Sequence, residues 1–346
     1  MSICKFRMAL SAVLLLSVGS YPASGDAVIG GTMPVTVENF SRAETDVTMA
    51  AYAKEDAFGK FMHARKPASI DDQKIVRMNR DTLYSIGVFD LDAGPVTLSL
   101  PDAGKRYMMA QVIDEDHYTH DIAYAPETKS YSKETIGTRY LVIIIRTLVD
   151  PQSETDIRDV HELQDKTKAE QASSGKFEVP NWDQSSQAKV RDALKVLGST
   201  LQNSERMFGS KEETDPVRHL IGAAVGWGGN PSSAAIYLTS KPKDESGKAI
   251  ERIIVKDVPI DGFWSISVYN GKGYFEKNDL NAYSINNLTA KPSNDGSIVV
   301  QFGGCNATTI NCIPIMEDWN YTVRLYRPRP ELSEGKWKFP EPELVK

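Results

Sequence analysis

The sequence predicts a mainly β protein: two β-sandwich or jelly-roll-like units, with helical segments before the first and between the two. Three observations predict it. Alternating or continuous apolar runs crowd residues 75–148 and return from Ala234 to Arg327. Amphipathic helical periodicity is confined to the start and the middle of the chain. The two β regions also share landmarks at matching spacing, as an internal repeat would.

Taken in order, the chain opens as an export signal. Lys5 and Arg7 precede an apolar core from Met8 to Val18, and Ala23 and Gly25 suit the −3 and −1 positions of a peptidase site, so cleavage is expected after Gly25. The apolar core is about half the roughly 20 residues that a spanning helix needs. Cys4 precedes that core instead of ending it, so there is no lipid-anchor signal. Of the cysteines, Cys305 and Cys312 then remain, in GGCNATTINCIP, and an even count in an exported chain points to a disulfide. The expected location is periplasmic or secreted. About 320 mature residues suffice for two domains. We place the boundaries at 26–150 for an N-terminal sandwich, 151–231 for a helical linking region, and 232–346 for a C-terminal jelly-roll-like unit.

Lys and Arg number 40 against 46 Asp and Glu, interspersed without a basic block, for a net charge of −6. That balance argues against nucleic acid as a partner, and no later segment is apolar enough to span a bilayer. Residues 43–65 read as a helix with Met49, Ala53 and Phe61 on its apolar face. VTLSLP (96–101) alternates cleanly, while YLVIIIRTL (140–148) is apolar on both faces, the mark of a central buried strand. Residues 151–171 read as a helix capped by Ser153 or Thr155. A second helix spans 185–207, with Val190, Leu194, Leu197 and Leu201 on one face. GWGGNP (226–231) ends the helical middle.

In the repeat, Pro101, Gly104 and YMMAQVID match Pro259, Gly262 and FWSISVYN, pairing Tyr107 with Phe263 and Asp114 with Asn270. In the last strands Tyr140, Val142 and Arg146 match Tyr321, Val323 and Arg327. A strand arginine is ordinarily a solvated edge group or a packed surface pair, so neither Arg146 nor Arg327 is given a catalytic role.

The segments VRMNRDTLYSIGVFDL, QVIDEDHYT, DPVRHLIGAAVGWGGNP, VKDVPIDGFWSISVYNGKGYFEKN and WNYTVRLYRPRPE together resemble a bacterial pair of domains of unknown function, 1254 in the N-terminal half and 1214 in the C-terminal half. The resemblance implies a double sandwich with a helical linking region, similar in fold to carbohydrate-recognising sandwiches. It brings no established catalytic set. The HYTH pattern completed by His120 is not one associated with that family.

Three constellations carry candidate chemistry. The first, Asp114 to Asp121, lies in a loop at a sheet end and offers Asp116, His117 and Tyr118 as acid–base residues; its ligand types suit a transition metal, but the spacing is no metal signature, and a capped polar turn accounts for it. The second is Asn79, Arg80, Asp81 and Tyr84, where Arg80 could grip an anionic or hydroxyl-rich ligand and Asp81 serve as acceptor or base, or the group could form a buried polar network. The third is aromatic and amide-rich: Trp227, Asn230, Tyr269, Asn270 and Tyr274, suited to stacking on and bonding to a sugar, with Trp264 as core and Trp227 as the exposed contact. No P-loop, nucleophile elbow or dinucleotide fingerprint is present, and no cofactor is evident. The expected function is recognition of a saccharide-like or other small polar ligand in a sandwich cleft. The alternatives are a hydrolase or lyase using His117 with Asp116 or Asp81, with or without a metal, and an envelope assembly protein whose aromatic patches join subunits into a homo-oligomer.

Overall fold

A computed structural model describes residues 31–73 and 76–345. The proposed signal segment lies outside the described residues. Elements run α1 (Phe40–Lys54), β1 (Met62–His63), β2 (Thr82–Asp90), β3 (Val96–Leu100), β4 (Met108–Asp114), β5 (Thr119–Tyr124), β6 (Glu127–Tyr131), α2 (Lys133–Ile136), β7 (Tyr140–Leu148), α3 (Glu154–Lys166) and β8 (Lys168–Glu170). The helices α4 (Gln184–Gly198) and α5 (Pro216–Gly226) follow. The second half comprises β9 (Ala235–Ser240), β10 (Glu251–Val255), β11 (Trp264–Tyr269), β12 (Ser284–Asn286), β13 (Ile298–Phe302), β14 (Cys312–Ile313), β15 (Asn320–Tyr326), α6 (Pro330–Ser333) and β16 (Glu343–Leu344). The protein is mainly β, as its sequence predicts, in several open and almost wholly antiparallel sheets.

The first sandwich packs the sheet β1-β2-β7-β4-β5 on the sheet β6-β3-β8. Leu98, Val112, Leu141 and Ile143 fill its core. The second packs β12-β11-β15-β9 on β14-β13-β10-β16 around Ile253, Ile266, Phe302 and Val323. The repeat is visible in this topology. In chain order, β2 to β8 match β9, β10, β11, β12, β13, β15 and β16, and matched strands have matched neighbours.

The ladder registers correct one sequence match. Met109 pairs with Arg146, and its counterpart Ser265 pairs with Arg324. Tyr84 pairs with Arg146, and Tyr237 with Arg324. The counterpart of Arg146 is therefore Arg324, three residues before the expected Arg327. Arg327 lies past the end of β15, exposed, with positive φ and its guanidinium 4.5 Å from the centroid of the Tyr124 ring. Both true counterparts are buried, contrary to the solvated-edge expectation, because they sit within central strands.

Helix ends also differ from the expectation, for physical reasons. The first helix stops at Lys54, where Asp56 turns with positive φ, and Phe61 packs edge-on against Phe89 in the sandwich. Ser153 caps α3, but the chain beyond Lys166 pairs with β3 as β8, so the first sandwich extends past residue 150. The next helix ends at Gly198, leaving Leu194 buried but Leu197 exposed. With α1 and α5 it encloses Phe40, Trp182, Leu194 and Ile221 beside the first sandwich. Asp215 caps α5, with Pro216 in its first turn. Cys305 and Cys312 form a disulfide.

Candidate functional site

The outer faces of β7 and β15 contribute to the junction of the two sandwiches. Its apolar part is Tyr107, Met109, Leu148, Ala235, Phe263 and Tyr326, with Phe263 stacked on Tyr326 at 4.2 Å. The rest is polar and centred on the two arginines. Arg146 donates to Gln111 Oε1 (2.8 Å), Asn230 Oδ1 (3.0 Å) and the Gly228 carbonyl (2.7 Å). Arg324 donates to Ser267 Oγ (2.9 Å), Tyr269 Oη (2.7 Å) and the Arg77 carbonyl (2.8 Å). The grips are reciprocal. Arg146, in the first half, holds the segment leading into β9; Arg324, in the second, holds the segment leading into β2.

Phenols and amides complete the layer. Asn79 Nδ2 donates to the hydroxyls of Tyr326 (3.2 Å) and Tyr84 (3.4 Å), and Asn230 Nδ2 to that of Tyr237 (2.7 Å). The Arg146 guanidinium lies 5.5 Å from the Tyr84 ring centroid. Burial works to raise the Tyr84 phenol, yet Arg146 and the bonds from Asn79 and Thr82 bring it below its ordinary value. Burial keeps Tyr237, Tyr107 and Tyr326 raised. The hydroxyls of Tyr107 and Ser265 are buried without partners. Neither Arg146 nor Arg324 hydrogen-bonds a carboxylate among the described residues.

The expected site residues divide around this layer. Asn79, Tyr84 and Asn230 are in it. Asp81 adjoins it: its N–H donates to Asn79 Oδ1, its Oδ1 accepts from Ser284 and Asn286 at 3.1 Å each, and its buried Oδ2 is unpartnered. Arg80 turns away, donating to the Ala68 carbonyl and lying over Tyr283, so it is not placed to grip a ligand in this layer. Tyr269 is fully buried and bonds the Met78 carbonyl and Arg324, which leaves it unavailable as a stacking surface. Trp264 is core. Trp227 is half-buried, stacked on His117 at 5.7 Å, with Nε1 donating to Thr45; the exposed contact expected there is instead a packing residue.

His117 and Asp116 do not form an acid–base couple. His117 is buried, and its Nε2 accepts the Gly228 N–H at 2.8 Å, placing the ring proton on an unpartnered Nδ1. Burial, and then His219 beside it, hold its pKa down at about 3, so it is neutral at neutral pH. Asp116 is clamped by Arg42 Nε and Nη2 at 2.8 and 2.7 Å. Tyr118 stacks on His219 at 4.2 Å.

The loop carrying these residues has a twin after β11. Asp114 Oδ1 accepts the N–H groups of Asp116 and Tyr118; Asn270 Oδ1 accepts those of Lys272 and Tyr274. Asp114 Oδ2 meets His120 Nε2 at 2.8 Å, and Asn270 Nδ2 donates to Glu276 Oε1 at 3.0 Å. His117 and Gly273 both take positive φ. Asn270 and Tyr274 are thus parts of a repeated turn. The Asp114–Asp121 loop is the same turn with different side chains. Its carboxylates are committed to backbone, Arg42, His120, Lys129 and Tyr131, and no metal-binding group of three His, Cys, Asp or Glu occurs among the described residues.

The buried arginines, Gln111, Tyr237 and Tyr326 were missed in the sequence. The available signal was a charged residue inside YLVIIIRTL, a run that itself reads as buried.

Two sandwiches of one topology, joined through a polar seam, define a two-domain β protein. The chain belongs to the paired family its segments resemble: residues 58–136 match "Protein of unknown function (DUF1254)" and residues 235–330 match "Protein of unknown function (DUF1214)". The crystal structure of the VPA0106 protein from Vibrio parahaemolyticus has the same fold, with a TM-score of 0.69 at 17% identity over 90% of this chain and 98% of that one. An uncharacterised protein from Burkholderia cenocepacia gives 0.51 at 13% identity, covering 90% and 87%. No curated protein matches.

Proposed function

We propose that this is an exported protein that holds a small, saccharide-like molecule bearing an anionic group at the seam between its sandwiches. One observation carries the reading: the phenols of Tyr84, Tyr237 and Tyr326 gather about the Arg146 guanidinium without a carboxylate hydrogen-bonded to it. A buried cation of this kind favours an anion, because a charge left unpaired in a low-dielectric setting is costly. The phenols and amides around it suit ligand hydroxyls, and the half-buried rings of Tyr84 and Tyr237 offer the approach. A sugar acid meets both demands. The disulfide and the sequence of residues 1–25 support export.

The test is thermal denaturation with neutral sugars, sugar acids and inorganic phosphate. A sugar acid is expected to stabilise saturably, by about 2.7 kcal/mol at a hundredfold excess over Kd. The double variant Tyr84→Phe, Tyr237→Phe removes two hydroxyls and little volume, and is expected to lose most of that shift. An equal shift in the variant, or no shift with any acid, sinks the reading.

A further inference from the structure

The twin loops are one backbone design carrying different side chains, and only the first holds an Asp–His pair. Asp114 is buried, and two backbone N–H groups fix its Oδ1. Its Oδ2 lies 2.8 Å from His120 Nε2. A carboxylate only accepts, so Nε2 donates, and the lone pair of the neutral ring is on Nδ1. Among the described residues Nδ1 has no hydrogen-bond partner. The His120 side chain is 28% exposed and lines a depression of about 420 Å³ with Asp116, Tyr118, Thr119, Lys211 and Glu212. A base oriented by a buried carboxylate and facing an open hollow is the arrangement proton transfer requires.

The second loop separates folding from chemistry. Asn270 and Glu276 make the same turn and the same contact six residues on, with neither a carboxylate at the first position nor an imidazole at the second. The turn therefore needs an Asn or Asp and a polar partner; it does not need an Asp–His couple.

We infer that His120, oriented by Asp114, is an acid–base group acting on small acyl esters in this depression. Nδ1 takes a proton from water as the water oxygen adds to the acyl carbon. The ester C–O bond then breaks, and the imidazolium returns the proton to the leaving oxygen, giving acid and alcohol. His120 is the catalytic residue and Asp114 its positioning residue. The inference is independent of the ligand assigned to the seam.

The experiment follows 4-nitrophenyl acetate hydrolysis by the purified full chain across pH 5–9. The rate is expected to exceed the buffer blank. His120→Gln should return the rate to the blank. Asp114→Asn should lower it at least about a hundredfold and alter its pH profile. The paired variant Asp114→Asn, His120→Glu copies the twin loop, so its melting temperature should stay close to that of the parent while the rate is lost. Glu276→Gln should keep the full rate. A wild-type rate at the blank, an unchanged rate in His120→Gln, or a rate and pH profile in Asp114→Asn that match the parent would each overturn the inference.

Discussion

The two halves share seven matched strands, a buried arginine with a cross-strand tyrosine, and an Asx-held loop, yet they differ in what they bury. The first half places His117 at the positive-φ position where the second uses Gly273. It also buries Asp46, whose carboxyl desolvation raises to about 7. The second half carries the disulfide. The shared features are those the common topology repeats; the unshared ones, His117 and Asp46 in the first half and the disulfide in the second, are where the halves are expected to respond differently to pH and to reductant.

The largest expected effect tests the shared part. Arg146→Met strands three buried acceptors and should cost about 3 kcal/mol or more in urea denaturation. Arg324→Met should cost about as much. A neutral result in one of the two would break the equivalence of the grips. The next effect is confined to the second half: replacing both Cys305 and Cys312 by Ser should cost about 2–3 kcal/mol, since the bridge closes a loop of separation 7.

The third is confined to the first half and depends on pH. His117 is held at about 3 against an ordinary 6.5, so its contribution to stability is complete above 6.5 and is lost as pH falls toward 3. Asp46 is raised from 3.8 to about 7, so its contribution is complete below 3.8 and is lost as pH rises toward 7. Between those limits the two slopes oppose. Asp46→Asn should leave stability rising with pH from 4 to 6.5 by up to about 1.4 kcal/mol per unit, and His117→Gln should leave it falling. Urea midpoints at successive pH values distinguish these outcomes. The smallest effect comes from the paired variant Asn270→Asp, Glu276→His, which gives the second loop the first loop's cap together with its partner and should change stability by less than about 0.5 kcal/mol; a larger loss would show that the loops are not interchangeable.

The fold was legible in the sequence because strand alternation, helix caps and the Pro-Gly landmarks are local. VTLSL alternates buried and half-buried positions as read, and Ser153 caps its helix. The site was legible only in part. Asn79 and Tyr84 stood out as part of a polar run interrupting apolar strands, and Asn230 as an amide in the Gly-rich stretch GWGGNP. Arg146 and Arg324 did not, because whether a strand residue faces an edge or a second sandwich depends on which strands flank it. The matching of Arg146 with Arg327 failed for the same reason: spacing within one strand cannot reveal the register of its neighbours. His117 looked reactive by residue type, and only its depth in the fold and the Gly228 N–H show otherwise.

The reciprocal hold of Arg146 on Gly228 and Asn230, and of Arg324 on Arg77, makes no reference to chain connectivity. Two molecules that trade halves keep every one of those bonds. A chain nicked between α3 and α4 is therefore expected to remain whole until denatured.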